Sequence, residues 1–264
     1  MWYKGWIVSS SLFIAMLRQA SRTDFQRRWK GFCLFSVSFA ALTLCLLTSE
    51  GLATLFKTSR RLSGFSTDSR HYIYLESSRN SVTEVPTAQI QIVNIITNSC
   101  VQDGCLKTEY DRSSSNLSNQ AAENDLLKRT LPIRQALNLT QLKVGVQLPI
   151  ISRSIKPDKT ETVQYRLNNQ KQPLQIRLQQ KYLPPVSPGG YLGVERAAMR
   201  LVITYNYRQL TLGDLNNYRE AVQKYSIRDV RLSPNRKHVV VLINMDQPTY
   251  EGLLQTTLVQ SFPL

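Results

Sequence analysis

The longest apolar run of the chain is Gly31–Thr48, eighteen residues without a charged side chain. At about 1.5 Å per residue, a helix of this length reaches roughly 27 Å, slightly less than the ~30 Å hydrocarbon core of a bilayer. The run shows no amphipathic pattern, because its apolar side chains would cover all sides of a helix. This disfavours a buried helix of a soluble protein, which normally has one polar face. The run therefore predicts one transmembrane helix, or an uncleaved signal anchor, at residues 31–48.

A cleaved signal peptide is the alternative for the same run. Basic Arg27–Lys30 would be its n-region, and Gly51–Ala53 would be a small-x-small cleavage site. Lys and Arg are more numerous before the run than after it, which predicts a cytoplasmic N-terminus and an extracytoplasmic region from residue 49 onward. Initiation at Met16 would give a compact basic leader, so we consider it as the true start. The predicted location is the cell membrane with a single pass, or the exterior after cleavage.

The distal half of the chain has the clearest periodicity. Period-two alternation on both sides of an Asn-rich turn near residue 170 predicts a β-hairpin with one wet face. Three more strands are predicted, at Met199–Tyr207, Ile227–Leu232 and His238–Ile243. Helical spacing of apolar residues predicts a helix at Asp214–Tyr225 and another in the tail that begins at Asp246. The tail helix would present an apolar stripe of Tyr250, Leu253, Leu254, Leu258 and Phe262.

The proximal half is more polar. Ala88–Thr97 is rich in β-branched residues and predicts a buried strand, and a short helix is predicted near Ala121–Arg129. Together these elements predict an α+β fold, in which one N-terminal transmembrane helix precedes an extracytoplasmic domain of antiparallel sheet and packed helices. The predicted divisions are a basic segment at 1–30, the membrane helix at 31–48, a polar stalk at 49–85 and the domain at 86–264, best structured from about residue 160.

The segment Leu232–Val240 resembles one strand turn of a β-propeller repeat. A propeller needs several such units, and only this one is found by inspection of the sequence. A single hairpin is therefore the better interpretation of the segment.

The charge composition of the chain favours some classes of binding partner over others. The formal net charge is +15, which favours anionic partners such as phospholipid headgroups, acidic polysaccharide or nucleic acid. The basic residues are interspersed with acidic ones, an arrangement that is also typical of a solvated surface. Nucleic acid is disfavoured because no RNP, helix-turn-helix or zinc-finger pattern is present. We therefore expect a lipid bilayer as partner of residues 31–48, a protein partner in the envelope, and an anionic polymer as a further candidate.

Four cysteines occur in two pairs, and one pair lies within the apolar run. Cys100 and Cys105 flank a four-residue segment that contains Asp103-Gly104, a good turn former. Such a turn brings two sulfurs within bonding distance, and an extracytoplasmic location favours oxidation. The sequence predicts a disulfide between Cys100 and Cys105, with free thiols as the alternative.

Catalytic, cofactor and metal motifs are not found. The two histidines, His71 and His238, lie in no catalytic sequence context. The Pro/Gly-rich loop Leu183–Gly193 lacks the spacing of a phosphate-binding loop. We therefore assign no catalytic, cofactor-binding or metal-binding residue. The interpretation is a membrane-anchored, non-catalytic accessory or interaction subunit of a cell-envelope assembly for export, surface polymer or division. The alternatives are a secreted or anchored hydrolase with a spatially assembled site, and a basic binding module for an anionic polymer.

Overall fold

The computed structural model describes residues 54–80, 83–167, 172–185, 194–250 and 252–264. These residues belong to one compact unit, Ala53–Leu264. Strands dominate it, and they run in the order β1 (Thr54–Lys57), β2 (Ser59–Phe65), β3 (His71–Arg79), β4 (Pro86–Asn94), β5 (Ser99–Lys107), β6 (Val146–Gln147), β7 (Ile150–Ile155), β8 (Glu161–Tyr165), β9 (Leu174–Leu183), β10 (Arg196–Tyr205), β11 (Arg208–Glu220), β12 (Lys224–Leu232), β13 (His238–Thr249) and β14 (Gly252–Pro263). A 3-10 turn at Arg112–Ser114 and two helices, α1 (Asn119–Arg129) and α2 (Leu131–Ala136), lie between β5 and β6.

The strands form three sheets. The central sheet has the order β1-β14-β13-β12-β6, the front sheet β2-β3-β4-β5, and the back sheet β11-β10-β9-β8-β7. Strand pairs are antiparallel, apart from the parallel pair of β1 and β14. The described chain is therefore built from antiparallel hairpins and meanders.

Strand β13 lies at the middle of the stack. Val239, Val241 and Ile243 belong to the core shared with the back sheet, whereas Val240 and Leu242 belong to the core shared with the front sheet. A strand that is buried on both faces reads as a continuous apolar run. Each of these side chains contributes about 1.5–3 kcal/mol by leaving water, so β13 anchors both layers.

The other face of the front sheet packs against α1. Ile73, Leu75, Ile90 and Ile92 form a third core with helix residues that include Leu126. Polar contacts fix the helix in place, because Glu123 accepts hydrogen bonds from Arg61 at 2.8 Å and from Ser77 at 2.7 Å. The layers are therefore back sheet, central sheet, front sheet and helix.

The predicted α+β class is wrong, because the domain is mostly β-sheet. The segment predicted as a helix at Asp214–Tyr225 instead continues β11, turns at Ala221 and enters β12. The predicted tail helix is the end of β13 followed by β14. Long-range pairing with neighbouring strands overrides the local helical spacing in both segments.

Other sequence predictions have different outcomes. Four predicted features are present. The strand at 88–97 is β4, and the hairpin around residue 170 is β8–β9. The strands at 227–232 and 238–243 form the hairpin β12–β13, and the helix near residue 121 is α1. The predicted polar stalk at 49–85 instead contains β2 and β3, and Phe65, Tyr72 and Tyr74 lie in a core. The predicted membrane segment Gly31–Thr48 lies outside the described residues.

Two turns of the domain have the same hydrogen bonds. In Ser66–His71, the Ser66 N–H donates to the His71 carbonyl at 2.9 Å and the His71 N–H donates to Ser66 Oγ at 3.0 Å. In Ser233–His238, the corresponding distances are 2.8 and 3.1 Å. The fourth residue of each turn, Ser69 or Arg236, has a positive φ of 56° or 59°. The turn that resembles a propeller repeat therefore occurs twice, once between β2 and β3 and once between β12 and β13.

Candidate functional site

A cavity of about 310 Å³ opens where the second of these turns meets the ends of the back sheet. This volume is at the lower end of the range for small-ligand sites. Its lining comes from five separate parts of the chain, and consists of Val146, Gln147, Leu148, Pro149, Arg166, Leu167, Tyr205, Leu232, Arg236 and Leu264.

One wall of the cavity is the extended segment Lys143–Pro149, which we call the strap. Lys143 pairs with Phe65 through two backbone hydrogen bonds of 2.9 Å. Three residues later, Val146 pairs with Leu232, the counterpart of Phe65 in the second turn. The strap therefore ties the two related turns together before it leaves the central sheet for the back sheet.

The strap fits closely because of Gly145. A Cβ atom at this position would lie 2.3 Å from Phe65 Cε2 and 2.5 Å from the Leu232 carbonyl oxygen. Both distances are far below van der Waals contact, so a side chain would push the strap outward. The glycine thereby sets the position of the cavity wall.

Two arginines give the cavity its charge. Arg166 follows β8, where its N–H donates to the Pro149 carbonyl at 2.9 Å, and Arg236 occupies the left-handed position of the second turn. Both are exposed. Among the described residues, neither guanidinium has a hydrogen bond or an ion pair with a side chain, and no Asp or Glu lines the cavity. No Asp or Glu side chain of the lining therefore competes with an anion for these guanidinium groups.

The floor of the cavity is apolar. Leu148, Leu167 and Leu232 are buried in the core between the central and back sheets, and Leu264 packs against the same core. Tyr205 contributes a half-buried phenol to the rim. A ligand with an anionic group and an apolar group would match this combination of guanidinium groups and leucine side chains.

The two histidines occupy equivalent positions at the ends of the two turns. Burial lowers the pKa of His71 and the pKa of His238 below the usual value of 6.5, although Asp68 opposes the shift at His71. The Nδ1 atom of each ring is buried and has no hydrogen-bond partner among the described residues. Neither imidazole lines the cavity.

Ser66, Asp68 and His71 lie together, but their contacts are those of a turn. The Ser66 hydroxyl donates to Asp68 Oδ1 at 2.5 Å, and the histidine contributes its backbone N–H. In the second turn the hydroxyl of Ser233 donates to Asn235 Oδ1 at 2.7 Å. Because an amide makes the same contacts as the carboxylate, turn stabilisation accounts for the group without any role as a catalytic triad.

Two buried carboxylates also have structural partners. Glu161 of the back sheet accepts from the Ile227 N–H of the central sheet at 2.8 Å and pairs with Arg153 at 3.2 Å. Glu76 of the front sheet accepts hydrogen bonds from Thr58, Gln89 and Thr257. Both groups join two sheets, so their hydrogen-bonding capacity is used within the fold.

Cys100 and Cys105 both lie on β5, and neither lines the cavity. The structure joins the Sγ atoms of Cys100 and Cys105, with the Cα atoms 5.9 Å apart. Oxidation of this pair in the protein remains a prediction. In the described part of the chain, no cluster of three or more His, Cys, Asp or Glu side chains has the arrangement of a metal site.

A second polar surface covers the outward face of the back sheet. Arg177 and Arg200 lie on it, and Gln179 Oε1 accepts hydrogen bonds from Arg200 at 3.0 and 2.8 Å. Arg177 is in register with Thr162 and Val202, and Arg200 with Gln179 and Gly213. Most other positions of this face carry hydroxyl or amide side chains: Ser152, Ser154, Gln164, Gln175, Thr204, Gln209 and Thr211. This face is the wet side that the alternating pattern predicts.

Sequence reasoning did not find the cavity. Its residues are ordinary in type and lie up to 118 positions apart, between Val146 and Leu264. One signal was present, because the segment Phe65–Tyr72 matches Leu232–Val239 at its Ser and His positions and in its Asp/Asn position. A comparison of the sequence with itself would have shown this short internal repeat.

These observations define the class: a layered all-β protein with a small, cation-rimmed cavity. Residues 79–261 match the family described as "Predicted secreted protein (DUF2259)", and the chain belongs to that family. No curated protein and no solved structure matches the chain. The family description agrees with the predicted extracytoplasmic location of the domain. None of the helices in the described part of the chain has the length and apolar character needed to cross a bilayer.

Proposed function

We propose that this protein is a non-catalytic binding protein of the cell envelope, and that its cavity holds an anionic amphiphile. The supporting observation is the combination of Arg166 and Arg236 with an apolar floor and no lining Asp or Glu. Guanidinium groups form strong, charge-assisted hydrogen bonds with phosphate and carboxylate. The leucines of the floor would shield an attached apolar group from water.

The location forms part of the same proposal. Residues 49–264 act outside the cytoplasm, either held at the membrane by Gly31–Thr48 or released after cleavage near Gly51–Ala53. In either form the protein acts as an accessory or interaction subunit of an envelope assembly. Carbonate extraction of membranes separates the two forms, because an anchored protein stays with the membrane and a released protein enters the supernatant.

Calorimetric titration with octyl phosphate tests the cavity. We expect octyl phosphate to bind the full chain, octanol to bind more weakly and octyltrimethylammonium not to bind. Because a hydrogen bond to a charged group contributes about 1.5–3 kcal/mol, loss of Arg166 should weaken binding about tenfold or more. Equal binding of octanol and octyl phosphate would contradict the proposal.

The variants can be matched closely. Arg166→Gln removes one cation, and Arg236→Asn removes the other while keeping a residue that tolerates a positive φ. Arg70→Gln is the control, since Arg70 lies in the related turn but does not line the cavity. All variants retain residues 31–48, so any binding to that segment is common to them. Equal affinity of Arg166→Gln and Arg70→Gln would also contradict the proposal.

A second candidate function is binding of an anionic polymer on the outward face of the back sheet. The observation that favours it is the position of Arg177 and Arg200 among hydroxyl and amide side chains that can hydrogen-bond to a polyhydroxylated chain. Salt-sensitive retention on an anionic matrix would measure this activity. The double variant Arg177→Gln/Arg200→Gln should elute earlier, whereas Arg166→Gln should elute with the wild type.

A further inference from the structure

Exposed aliphatic side chains cluster at the mouth of the cavity and along the adjoining edge strand. Five of them lie within twelve residues of the chain, on the strap and on β7. Elsewhere, large exposed hydrophobic residues of the described chain are scattered singly or in pairs. The five are Val144, Val146, Ile150, Ile151 and Ile155, and we call them the aliphatic edge. Clusters of this kind mark interaction sites, whereas single exposed residues are ordinary.

The aliphatic edge adjoins the cavity directly. Val146 belongs to both, and Ile150 follows Pro149, which lines the cavity. In the back sheet, Ile150 pairs with Tyr165, the residue before Arg166. A ligand whose anionic group reaches Arg166 therefore lies next to the exposed isoleucines.

The charge of this region favours an anionic partner. Residues 143–158 contain Lys143, Arg153 and Lys156 and one acidic residue, Asp158, which interacts electrostatically with Lys156. Arg153 is engaged internally with Glu161, while the two lysines flank the aliphatic residues at either end. Aliphatic side chains bordered by Lys are the composition of a surface that enters the headgroup region of an anionic bilayer.

A partner β-strand fits the edge less well. β7 carries a bulge between Ile150 and Ser152, and bulges on edge strands twist the free backbone away from further pairing. Addition of a partner strand would also make no use of the adjoining cavity, whereas a lipid bilayer would, because the cavity can hold one lipid headgroup.

We infer that the aliphatic edge contacts an anionic lipid bilayer and that the amphiphile of the cavity is a phospholipid of that bilayer. This inference rests on the proposed anion-binding role of the cavity. Ile151 and Ile155 enter the headgroup layer, Lys143 and Lys156 pair with anionic headgroups, and Arg166 and Arg236 hold one phosphate.

Hydrogen–deuterium exchange of the full chain tests the contact locally, apart from any binding by residues 31–48. The chain is incubated with vesicles of phosphatidylglycerol and phosphatidylcholine, or of phosphatidylcholine alone. We expect slower exchange in peptides that cover 143–157 with the anionic vesicles only. Loss of each exposed isoleucine should weaken this local contact by about tenfold, so Ile151→Ser/Ile155→Ser should abolish the protection.

Ile96→Ser is the matched control, because Ile96 and Ile151 are both 48% exposed and Ile96 lies on the β4–β5 turn. It should retain the protection. Equal protection by both vesicle types, or none by either, would overturn the inference. Protection that rises with protein concentration in the absence of vesicles would also overturn it and indicate pairing with a second copy.

Octyl phosphate separates this inference from the function on which it rests. Ile151→Ser/Ile155→Ser should bind octyl phosphate as tightly as the wild type does. Octyl phosphate binding without protection by anionic vesicles would refute the bilayer contact alone, whereas failure of octyl phosphate to bind would refute the cavity's role.

Discussion

Glu76 and Thr257 are 181 residues apart in the chain and join the front sheet to the central sheet. Glu76 Oε1 accepts the Thr257 N–H at 2.7 Å, and Oε2 accepts the Thr257 hydroxyl at 2.8 Å. The side chain of Glu76 is fully buried, and Thr58 donates to the same carboxyl group at 2.6 Å. A polar group buried in this way stabilises the fold only while its partners are present.

Glu76→Ala should therefore lower the free energy of unfolding by about 3–5 kcal/mol, because it leaves buried donors without an acceptor and opens a cavity. Thr257→Val should cost only about 1 kcal/mol, since the backbone hydrogen bond remains. Urea denaturation measures both values. Glu109→Ala, at an exposed position, is the control. A cost for Glu76→Ala as small as that of the control would contradict the structural role of the carboxylate.

Gly145→Ala should destabilise the fold and disturb the cavity. The new Cβ would overlap Phe65 and the Leu232 carbonyl, and overpacking of this kind costs about 1–3 kcal/mol. Thermal unfolding measures the cost, and octyl phosphate titration should show weaker binding because the strap moves. Val144→Ala is the control, since Val144 is 79% exposed and its loss should leave stability nearly unchanged. If both variants unfold at the same temperature, the strap does not have the close fit described here.

The histidines predict a pH dependence of stability. Both have a pKa in the folded protein below 6.5, mainly because of burial. The unfolded chain then binds more protons as the pH falls below 6.5, so stability is full above that value and declines toward the folded-state pKa. The pKa of Asp68 is also lowered, and this affects stability in a separate pH range, below 3.8.

His71→Gln/His238→Gln removes every imidazole of the chain. The free energy of unfolding should fall less steeply between about pH 7 and pH 5 in this variant than in the wild type. Urea titrations at several pH values provide the comparison. The backbone hydrogen bonds of both turns remain in the variant. An unchanged slope would assign the pH dependence to other groups.

The cysteine pair has a direct test. The intact mass of the protein should be about two hydrogens below the mass after reduction, since a disulfide forms with loss of one hydrogen from each thiol. Alkylation without reduction should leave Cys100 and Cys105 unmodified. Equal masses before and after reduction would show free thiols.

The sequence predicted strands well where one face is wet and one is dry. Val163 and Tyr165, or Ile176 and Leu178, alternate with polar residues because the back sheet has the core on one side and solvent on the other. Strand β14 does not alternate, since Leu258 and Val259 enter opposite cores. Its apolar residues therefore matched a helical spacing by coincidence.

The cavity could not be predicted because it depends on tertiary placement. Arg166 and Arg236 are seventy positions apart, and the route of the strap between two sheets brings their segments together. The aliphatic edge could not be predicted either, since the sequence does not distinguish exposed Ile151 from buried Ile176. The repeated turn is the one part of the site with a local signature.

Strand β14 is the last strand in the described part of the chain, and its residues complete two of the three cores. Synthesis proceeds from the N-terminus, so the central sheet cannot close until Gly252–Pro263 has left the ribosome. The front sheet and α1 share a core without β14 and can associate earlier. The layer of front sheet and α1 is therefore expected to form before the two cores that need β14.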